Sequence, residues 1–374
     1  MIGQRGLPAS HGGIERHVEE LSIRLARRNH EVVVFCRRNY VEGRRTDYQG
    51  VRLAYPPTYS SKHLEAALHS GVSSLQTLGR HFDVVHYHAV GPGLWSPIPR
   101  WLTGAKVVQT IHGLDQDRAK WGRFARAVLR AGFWMSKHAP DAVIVVGAYL
   151  LDSYRDRRRI TRHIPNGVAP ESASDSGALE NLGLTAGEYA LFVGRLIPEK
   201  GIDHLLRAFS AVATQHRLVV VGGSSFTDDY ELALRELASA DPRVVMPGYL
   251  YGSDLAALYA GAAVYVQPSF LEGSPLTVLE ALAHGLPVVL SDIAAHRELV
   301  PARRLGSWVY PAGDVRALTE ALSEALAAGP DAWQEARLDQ ARVIDRHDWE
   351  AVAEQTERLY IELCDRPQKV SMSA

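Results

Sequence analysis

Short apolar runs and amphipathic segments alternate along this chain, and this alternation restricts its fold more than any other feature. The apolar runs 31–35, 83–88 and 105–111 have the length and composition of buried strands, and helical spacing separates them. The second half repeats the pattern from the run 190–195 to the run 287–290. Strands that alternate with helices in this way form parallel, doubly wound sheets. The sequence therefore predicts an α/β protein with two Rossmann-like doubly wound domains that face a central cleft.

Length and local composition predict where the domains begin and end. The chain has 374 residues, more than the roughly 100–200 of a typical single domain. The stretch 169–187 is rich in Ser, Gly and Ala, which is typical of a linker. We therefore expect an N-terminal domain in residues 1–168, a C-terminal domain in residues 188–345 and a terminal segment with a helix in residues 346–374. Because the first strand is cut short at Met1, we also expect the native N-terminus to lie a few residues earlier.

Composition narrows the class of protein. The 2 cysteines, Cys36 and Cys364, lie far apart, so no disulfide framework is indicated, and a reducing cytosol fits this usage. No apolar run approaches the roughly 20 residues of a membrane-spanning helix, and no signal peptide is visible. We therefore expect a cytoplasmic protein.

The net charge of −1 conceals an uneven distribution. Residues 1–170 contain 25 Lys and Arg against 13 Asp and Glu, a net of +12, and the remainder contains 16 against 29, a net of −13. A basic half favours an acidic partner such as an anionic membrane or a lipid-phosphate acceptor. The two halves could equally attract each other. No nucleic-acid-binding motif is present, so we expect no nucleic acid partner.

The most informative stretch, residues 264–281, predicts a strand, a tight loop and a helix. Pro275 suits the first helical position, because its φ is fixed and it lacks an N–H. Backbone N–H groups at a helix N-terminus attract anions, so residues 273–276 predict an anion site. Glu272 and Glu280 flank this site. Carboxylates beside a phosphate site indicate a phosphorylated ligand that also carries hydroxyl groups.

Two further loops contain candidate phosphate-binding groups. Arg195 and Lys200 lie five positions apart in the loop Gly194-Arg195-Leu196-Ile197-Pro198-Glu199-Lys200-Gly201, and both could reach one diphosphate. Without further support, a pair of solvated loop cations explains them as well. Gly12 and Gly13 precede a helical pattern and mark either a plain turn or a place where a phosphate or an acceptor approaches the backbone.

Taken together, these segments resemble the retaining glycosyltransferases of the GT-B fold, family 4, which include the glycosyltransferases of bacterial polysaccharide assembly. Glu272 and Glu280 are similar to the E-x7-E motif of that family, and residues 194–201 are similar to its G-R-x-x-x-x-K-G element. Three shorter matches are Asn166-Gly167 at the entrance to the second domain, Gly12-Gly13 in the N-terminal loop and His112-Gly113 beside the donor sugar. The helix at 349–363 resembles the family's terminal helix, which crosses back to the N-terminal domain.

The resemblance implies a role for each matched residue. The implied catalytic residues are Arg195 and Lys200 on the diphosphate, Glu272 on the donor sugar and His112 beside the sugar or the transition state. The N-terminal domain would bind the acceptor and the C-terminal domain the nucleotide sugar. The implied donor-binding residues are Gly194, Gly273, Ser274, Pro275, Leu276, Thr277 and Glu280, with Glu280 on the ribose. Gly12 and Gly13 would form the acceptor and phosphate loop.

The same resemblance implies the reaction. A hexose or deoxyhexose would pass from a nucleoside diphosphate sugar to a hydroxyl acceptor with retention, in cell-envelope or extracellular polysaccharide synthesis, without a metal or another cofactor. The acceptor could be lipid-linked, with peripheral contact between the basic N-terminal domain and an anionic membrane at its inner face. Two alternatives stay open: a nucleotide-sugar epimerase of GT-B fold, and a non-catalytic carbohydrate-binding protein.

The chain departs from the family pattern in two places. Ser274 and Pro275 stand where the family has an aromatic residue and a glycine, which leaves the identity of the sugar open. Residues 294–298 replace the usual Gly-Gly-x-x-Glu, which leaves the role of Glu298 open. Asp115-Gln116-Asp117 also matches the metal-binding D-x-D of the other glycosyltransferase fold, although that fold would not explain the loops described above.

Overall fold

The computed structural model describes residues 1–9, 12–40, 45–57, 65–113, 123–155, 159–169, 177–224, 228–300, 306–338 and 340–366. The chain forms two compact units. Unit 1 contains Met1–Gly167 and Trp349–Ala374, and unit 2 contains Val168–Asp348. The terminal helix thus belongs to unit 1, and unit 2 begins directly after Gly167.

Unit 1 is built on parallel strands with helices between them. Its elements are α1 (Gly13–Arg27), β1 (Val33–Phe35), β2 (Asp47–Tyr48), β3 (Val51–Ala54), α2 (Glu65–Gln76), β4 (Val84–His88), α3 (Pro97–Leu102), β5 (Lys106–Ile111), α4 (Arg123–His138), β6 (Ala142–Val145), α5 (Leu151–Tyr154), β7 (Ile160–His163) and, at the end of the chain, α15 (Trp349–Asp365). Short 3-10 turns follow α2 at Thr77–Gly79 and precede α3 at Pro92–Trp95.

The strands of unit 1 form two ladders that Met1 and Ile2 connect. One sheet has the order β1-β3-β2 and the other the parallel order β4-β5-β6-β7. The Phe35 N–H donates to the Met1 carbonyl, and the Ile2 N–H donates to the His86 carbonyl at 2.9 Å. The truncated first strand of the sequence prediction therefore lies between β1 and β4, where it makes a single bridge, from Ile2 to Tyr87.

Helix α15 packs against α1 and contacts β4, the edge strand of the four-stranded sheet. Arg24 Nε lies 3.1 Å from Glu350 Oε1, and Arg28 Nη1 lies 3.0 Å from Glu357 Oε2. The buried hydroxyl of Tyr360 lies 2.5 Å from His86 Nδ1 on β4. Ion pairs at the rim and an aromatic side chain in the interior thus fix the last helix to unit 1.

Unit 2 contains a single six-stranded parallel sheet. Its elements are α6 (Ala178–Asn181), β8 (Tyr189–Val193), α7 (Ile202–Ala211), β9 (Arg217–Val221), α8 (Asp228–Ser239), β10 (Val244–Gly248), α9 (Gly252–Gly261), β11 (Val264–Gln267), α10 (Leu276–Ala283), β12 (Val288–Ser291), α11 (Ala294–Leu299), β13 (Ser307–Tyr310), α12 (Val315–Ala327), α13 (Gly329–Leu338) and α14 (Gln340–Arg346). The strand order is β10-β9-β8-β11-β12-β13.

Alternation along the strands of unit 2 gives the sheet two apolar faces. Phe192 belongs to the buried cluster on one face and Leu191 to the cluster on the other, because successive strand residues point to opposite sides. Helices α7 and α12 cover the first face, whose cluster also includes Phe209 and Leu318. Burial on both faces explains why the strands read as continuous apolar runs.

The structure also contains elements that the sequence prediction did not include. Residues Ile160–His163, part of a basic run, form edge strand β7, and Arg159 just before it donates to the carbonyls of His138 and Pro140. Strand β13 was likewise not predicted. Within the described part of the chain, no helix is both long and apolar enough to cross a bilayer.

Candidate active site

The sheet of unit 2 reverses its strand order between β8 and β11. The chain winds outward from β8 through β9 to β10, then returns to the centre with β11 and winds the other way. Open parallel sheets bind ligands at such a switch point, beyond the carboxyl ends of the strands. The loop after β8 carries Arg195 and Lys200, and the loop after β11 carries Glu272. The topology therefore brings together two loops that are distant in the sequence.

Lys200 and Glu272 form an ion pair at this switch point. Lys200 Nζ lies 2.5 Å from Glu272 Oε1, and the two side chains are only 13% and 11% exposed. Such low exposure limits screening by solvent, so the charges interact more strongly than a surface pair. Two side chains that the sequence resemblance assigned to different parts of the donor thus contact each other directly.

Neutral side chains from the end of β11 hold the Glu272 carboxylate in place. Gln267 Nε2 donates to Glu272 Oε1 at 2.9 Å, and Ser269 Oγ donates to the same oxygen at 2.6 Å. The Tyr265 hydroxyl lies 2.5 Å from Gln267 Oε1 and thereby orients the amide. The sequence analysis did not select Gln267 or Ser269, although polar residues directly after an apolar strand are a usable signal.

The surroundings of Glu272 keep it ionised. Burial alone would raise the pKa of this carboxyl group, but the Lys200 ammonium and the hydrogen bonds from Lys200 and Ser269 outweigh it and lower the pKa to about 2. At neutral pH the group therefore accepts hydrogen bonds and cannot act as an acid. An ionised carboxylate beside an ammonium can bind sugar hydroxyls and a phosphate on adjacent sides.

A second polar chain reaches the same site from β12. Ser291 Oγ donates to the Ser269 carbonyl at 2.5 Å, and His296 Nδ1 lies 2.9 Å from the Ser291 carbonyl. His296 is fully buried, and burial lowers its pKa to about 4, although the nearby Glu272 carboxylate opposes this shift. His296 is thus a neutral imidazole that supports the loop carrying Glu272. In the sequence, the only indication of this role of His296 is Ser291, a polar residue at the end of a buried strand.

The remaining residues of the loop after β8 lie at the carboxyl end of the same strand. Arg195 is half-buried, and Gly201 has a φ of 65° at the start of α7. A Cβ added at Gly222, after β9, would lie 1.8 Å from the Gly194 carbonyl oxygen, so the two loops touch through their backbones. Glycine at this position is required by the close approach, which keeps the loop of Arg195 and Lys200 flat against the sheet.

The helix after Glu272 starts one residue later than predicted. Pro275, with a φ of −72° and a ψ of 107°, precedes the helix as its N-cap, and α10 begins at Leu276. A residue that is itself followed by a helix can keep an extended ψ, so proline is accepted here as well as at the first helical position. Gly273, Ser274 and Thr277 surround this helix start, and the Tyr259 hydroxyl donates to Glu280 Oε2 at 3.0 Å.

In unit 1 the predicted residues are Gly12 and Gly13, at the start of α1, and His112, directly after β5. Gly12 has a φ of 109° and precedes α1, whose first residue is Gly13. A Cβ at Gly12 would meet Glu15 Oε2 at 2.1 Å, and Glu15 Oε1 accepts the Arg5 N–H at 3.1 Å. The glycine loop is therefore held by the first turn of the helix that follows it.

His112 lies in a cluster of imidazoles that the sequence analysis did not recognise. His88 Nδ1 lies 3.3 Å from His112 Nε2, and the rings of His17 and His112 meet edge to face with centroids 4.7 Å apart. His17 Nδ1 lies 2.9 Å from Asn166 Oδ1. Burial lowers the pKa of His17 to about 4 and those of His88 and His112 well below the ordinary value. The sequence signal for this cluster was the pair His86 and His88, which lie two positions apart in one apolar strand.

Three of these side chains are close enough for a metal ion to be considered. One nitrogen from each of His17, His88 and His112 lies within 4.8 Å of the others. Zinc would need unprotonated nitrogens about 2.0–2.1 Å away. The 3.3 Å between His88 Nδ1 and His112 Nε2 is the length of a hydrogen bond, and two nitrogens bound to one tetrahedral zinc ion would lie about as far apart. We interpret the contact as a hydrogen bond between two neutral imidazoles. The Asp115-Gln116-Asp117 match lies outside the described residues.

Comparison with known proteins shows that the chain is similar to glycosyltransferases. Residues 11–172 match the model of the Glycosyltransferase Family 4 domain, and residues 187–328 match that of the Glycosyl transferases group 1 domain. Alpha-maltose-1-phosphate synthase from Mycolicibacterium smegmatis is 29% identical over 94% of this chain and 96% of that protein. O-antigen chain mannosyltransferase B from Escherichia coli is 34% identical over 46% of this chain and 45% of that protein.

A solved structure shows the same fold over almost the whole chain. Anabaena HepE in complex with UDP and glucose superimposes with a TM-score of 0.79 at 17% identity, over 96% of this chain and 98% of that one. The fold is therefore GT-B, with two Rossmann-like domains. Residues 11–172 and 187–328 thus each match a glycosyltransferase domain model, and these matches support glycosyltransferase activity.

Proposed function

We propose that the protein transfers a hexose or deoxyhexose from a nucleoside diphosphate sugar to a hydroxyl acceptor, with retention of configuration. The ion pair between Lys200 and Glu272 carries this proposal, because it places a cation for phosphate and an anion for sugar hydroxyls at one strand switch point. Arg195 lies in the same loop as Lys200. In HepE, a protein of the same fold, UDP and glucose are bound, which fits a nucleotide-sugar donor.

The proposed reaction needs little covalent chemistry from the protein. The bond between the anomeric carbon and the phosphate oxygen breaks, and the acceptor oxygen bonds to that carbon from the same face. The acceptor hydroxyl passes its proton to the departing phosphate oxygen, and the nucleoside diphosphate leaves. Negative charge develops on the departing phosphate, where Arg195, Lys200 and the start of α10 would stabilise it. An ammonium has three N–H donors, so Lys200 can keep its contact with Glu272 while it binds phosphate.

The carboxylates have separate proposed tasks. Glu272, held by Gln267 and Ser269, would accept hydrogen bonds from the donor sugar, and Glu280, held by Tyr259, would accept them from the ribose. The backbone N–H groups of Gly273, Ser274 and Leu276 would serve as hydrogen-bond donors to the sugar and the phosphate. On unit 1, His112 would contact the transferred sugar, and Gly12 and Gly13 would border the acceptor. Since Arg195 and Lys200 can neutralise the diphosphate, we propose that transfer needs no metal ion.

A panel of nucleotide sugars with different bases and sugars tests the donor assignment. We expect saturable binding and a raised unfolding temperature with one donor, because a ligand that binds only the folded state stabilises it. Arg195→Ala combined with Lys200→Ala should weaken nucleoside diphosphate binding by more than about 100-fold, two lost charged contacts of about 1.5–3 kcal/mol each. Arg235→Ala with Arg316→Ala is the matched control, because it removes two exposed charges from the same unit.

The outcomes separate the competing functions. Unchanged binding by the Arg195 and Lys200 double variant contradicts the phosphate site. Epimerised nucleotide sugar in the absence of acceptor indicates an epimerase, and donor binding without turnover against any acceptor indicates a carbohydrate-binding protein. Transfer with an unchanged anomeric configuration, read from the product by NMR, supports retention, and full activity in EDTA supports metal independence.

We further propose a lipid-linked acceptor in cell-envelope or extracellular polysaccharide synthesis, reached at the inner face of the membrane. The net charge of +12 in residues 1–170 supports contact with anionic lipid. Trp101 and Trp134, on α3 and α4 of unit 1, are 70% and 59% exposed, and tryptophan favours membrane interfaces. Flotation with anionic vesicles at low salt should recruit the protein, whereas Trp101→Ser with Trp134→Ser should weaken recruitment. No recruitment of the parent protein would contradict the membrane contact.

A further inference from the structure

The contact between His88 and His112 determines where the protons of the cluster lie. His88 is the last residue of β4 and fully buried, and His112 follows β5 directly. Their facing nitrogens, His88 Nδ1 and His112 Nε2, are 3.3 Å apart. Burial lowers the pKa of both rings well below the ordinary value, so both are neutral at pH 7 and each carries one N–H. One of the two rings must donate and the other accept.

The second ring nitrogen of His88, Nε2, decides which of the two rings donates. Its Nε2 is buried and has no hydrogen-bond partner among the described residues. If His88 accepted through Nδ1, its only proton would sit on Nε2 as a buried N–H without an acceptor. Orphaned buried N–H groups are rarer and more costly than orphaned acceptors. His88 therefore donates through Nδ1, and its Nε2 is left with a lone pair.

His17 reinforces this arrangement from the other side. Its Nδ1 lies 2.9 Å from Asn166 Oδ1, a carbonyl-type oxygen that can only accept, so His17 is protonated at Nδ1. The Nε2 of His17 then carries a lone pair and supplies no proton to the neighbouring His112 ring.

We infer that His88 is a positioning residue that donates its Nδ1–H to His112 Nε2 and thereby fixes His112 as the tautomer protonated at Nδ1. The other ring nitrogen of His112, Nδ1, is then always a hydrogen-bond donor. A ligand atom that touches it must be an acceptor, such as a hydroxyl or ring oxygen of a sugar. The tautomer assignment stands on unit 1 alone, and only its link to sugar transfer rests on the proposed function.

Nitrogen NMR of the histidines tests the tautomer directly. Protein labelled with 15N-histidine and treated with EDTA gives long-range correlations that distinguish Nδ1–H from Nε2–H, and His112→Gln identifies the signals of His112. We expect Nδ1–H in the parent protein and in His88→Asn, whose amide N–H lies near the position of Nδ1. His88→Leu removes the donor and should shift His112 towards Nε2–H. His86→Asn is the matched control, because His86 bonds Tyr360 and Thr110 instead.

Two results would overturn the inference. One is an Nε2–H tautomer of His112 in the parent protein, a reading that does not depend on whether any variant folds. The other is an unchanged His112 tautomer in folded His88→Leu. If a panel donor is turned over, kcat should fall about tenfold in His88→Leu and recover in His88→Asn, as expected for a lost neutral hydrogen bond. A protein without turnover that still shows the predicted tautomers would contradict only the proposed function.

Discussion

Both units place polar groups near the carboxyl ends of their strands, but these groups are charged in unit 2 and neutral in unit 1. At the switch point of unit 2, Lys200 and Glu272 are charged and paired, and two neutral side chains, Gln267 and Ser269, donate to Glu272. In unit 1, His88 and His112 at the strand ends and His17 on α1 are neutral imidazoles, bonded to one another or to Asn166. An ion pair can respond to a charged diphosphate, whereas neutral imidazoles can only align donors and acceptors. The comparison predicts that charge matters in unit 2 and proton position in unit 1.

The largest effect should come from removing the charge of unit 2 without changing its shape. Glu272→Gln should lower kcat by about 10²–10³-fold, the loss typical of a removed group that stabilises a transition state. His112→Gln, which removes a neutral donor, should cost only about tenfold. Steady-state kinetics with the donor selected from the panel measures both variants.

A matched control makes that comparison interpretable. Glu188→Gln changes an exposed carboxylate of unit 2 and should leave kcat unchanged. Equal losses in Glu272→Gln and His112→Gln would remove the distinction between a charged and a neutral region.

Glu272 and His17 should contribute to stability in different pH windows. The pKa of Glu272 falls to about 2 from 4.5, so its contribution is complete above pH 4.5 and is lost as pH falls towards 2. The pKa of His17 falls to about 4 from 6.5, because burial disfavours the cation. The unfolded state then binds more protons between pH 4 and 6.5, so stability is complete above 6.5 and is lost as pH falls to 4. Each shift corresponds to about 3 kcal/mol.

Urea unfolding of variants between pH 3 and 8 separates the windows. His17→Asn should reduce the slope of the unfolding free energy between pH 4 and 6.5 by up to about 1.4 kcal/mol per pH unit, one proton less. Glu272→Gln should flatten the slope below pH 4.5, and above pH 4 it acts only through His296, whose lowered pKa the Glu272 carboxylate partly opposes. If Glu272→Gln left the slope below pH 4.5 unchanged, or His17→Asn left the slope between pH 4 and 6.5 unchanged, the assignment of these windows would fail.

The sequence predicted the charged region better than the neutral one. Arg195, Lys200 and Glu272 lie in loops whose spacing resembles a family pattern, and loops beyond apolar strands are easily read as ligand sites. The histidines of unit 1 belong to strands and a helix, and their contacts join residues as far apart as His17 and Asn166. Such contacts depend on the register of the sheet and on helix packing, neither of which a single sequence gives.

The fold shows the same division between what local pattern predicts and what tertiary contacts determine. The alternation of strands and helices predicted most of the parallel strands of both units, but not β2, which pairs antiparallel with β3. Strand β7 was not predicted, because its basic residues suggested a solvated surface and only pairing with β6 makes it a strand. The start of α10 at Leu276 differs by one residue from the prediction, since Pro275 can precede a helix as well as begin it.

The smallest effect concerns the neutral chain of unit 2, in which Ser291 bonds Ser269 and Ser269 bonds Glu272. It tests whether this chain affects stability or kcat. Ser291→Ala removes the hydrogen bond from Ser291 Oγ to the Ser269 carbonyl, and Ser269 in turn bonds Glu272. We expect the unfolding free energy to fall by about 1 kcal/mol, one buried hydrogen bond, and kcat to fall only a few-fold, because Lys200 still holds the carboxylate. Ser239→Ala, at an exposed helix end, is the control and should change stability by less than about 0.5 kcal/mol. If Ser291→Ala lowered kcat as much as Glu272→Gln, the neutral chain, rather than the ion pair, would position the carboxylate.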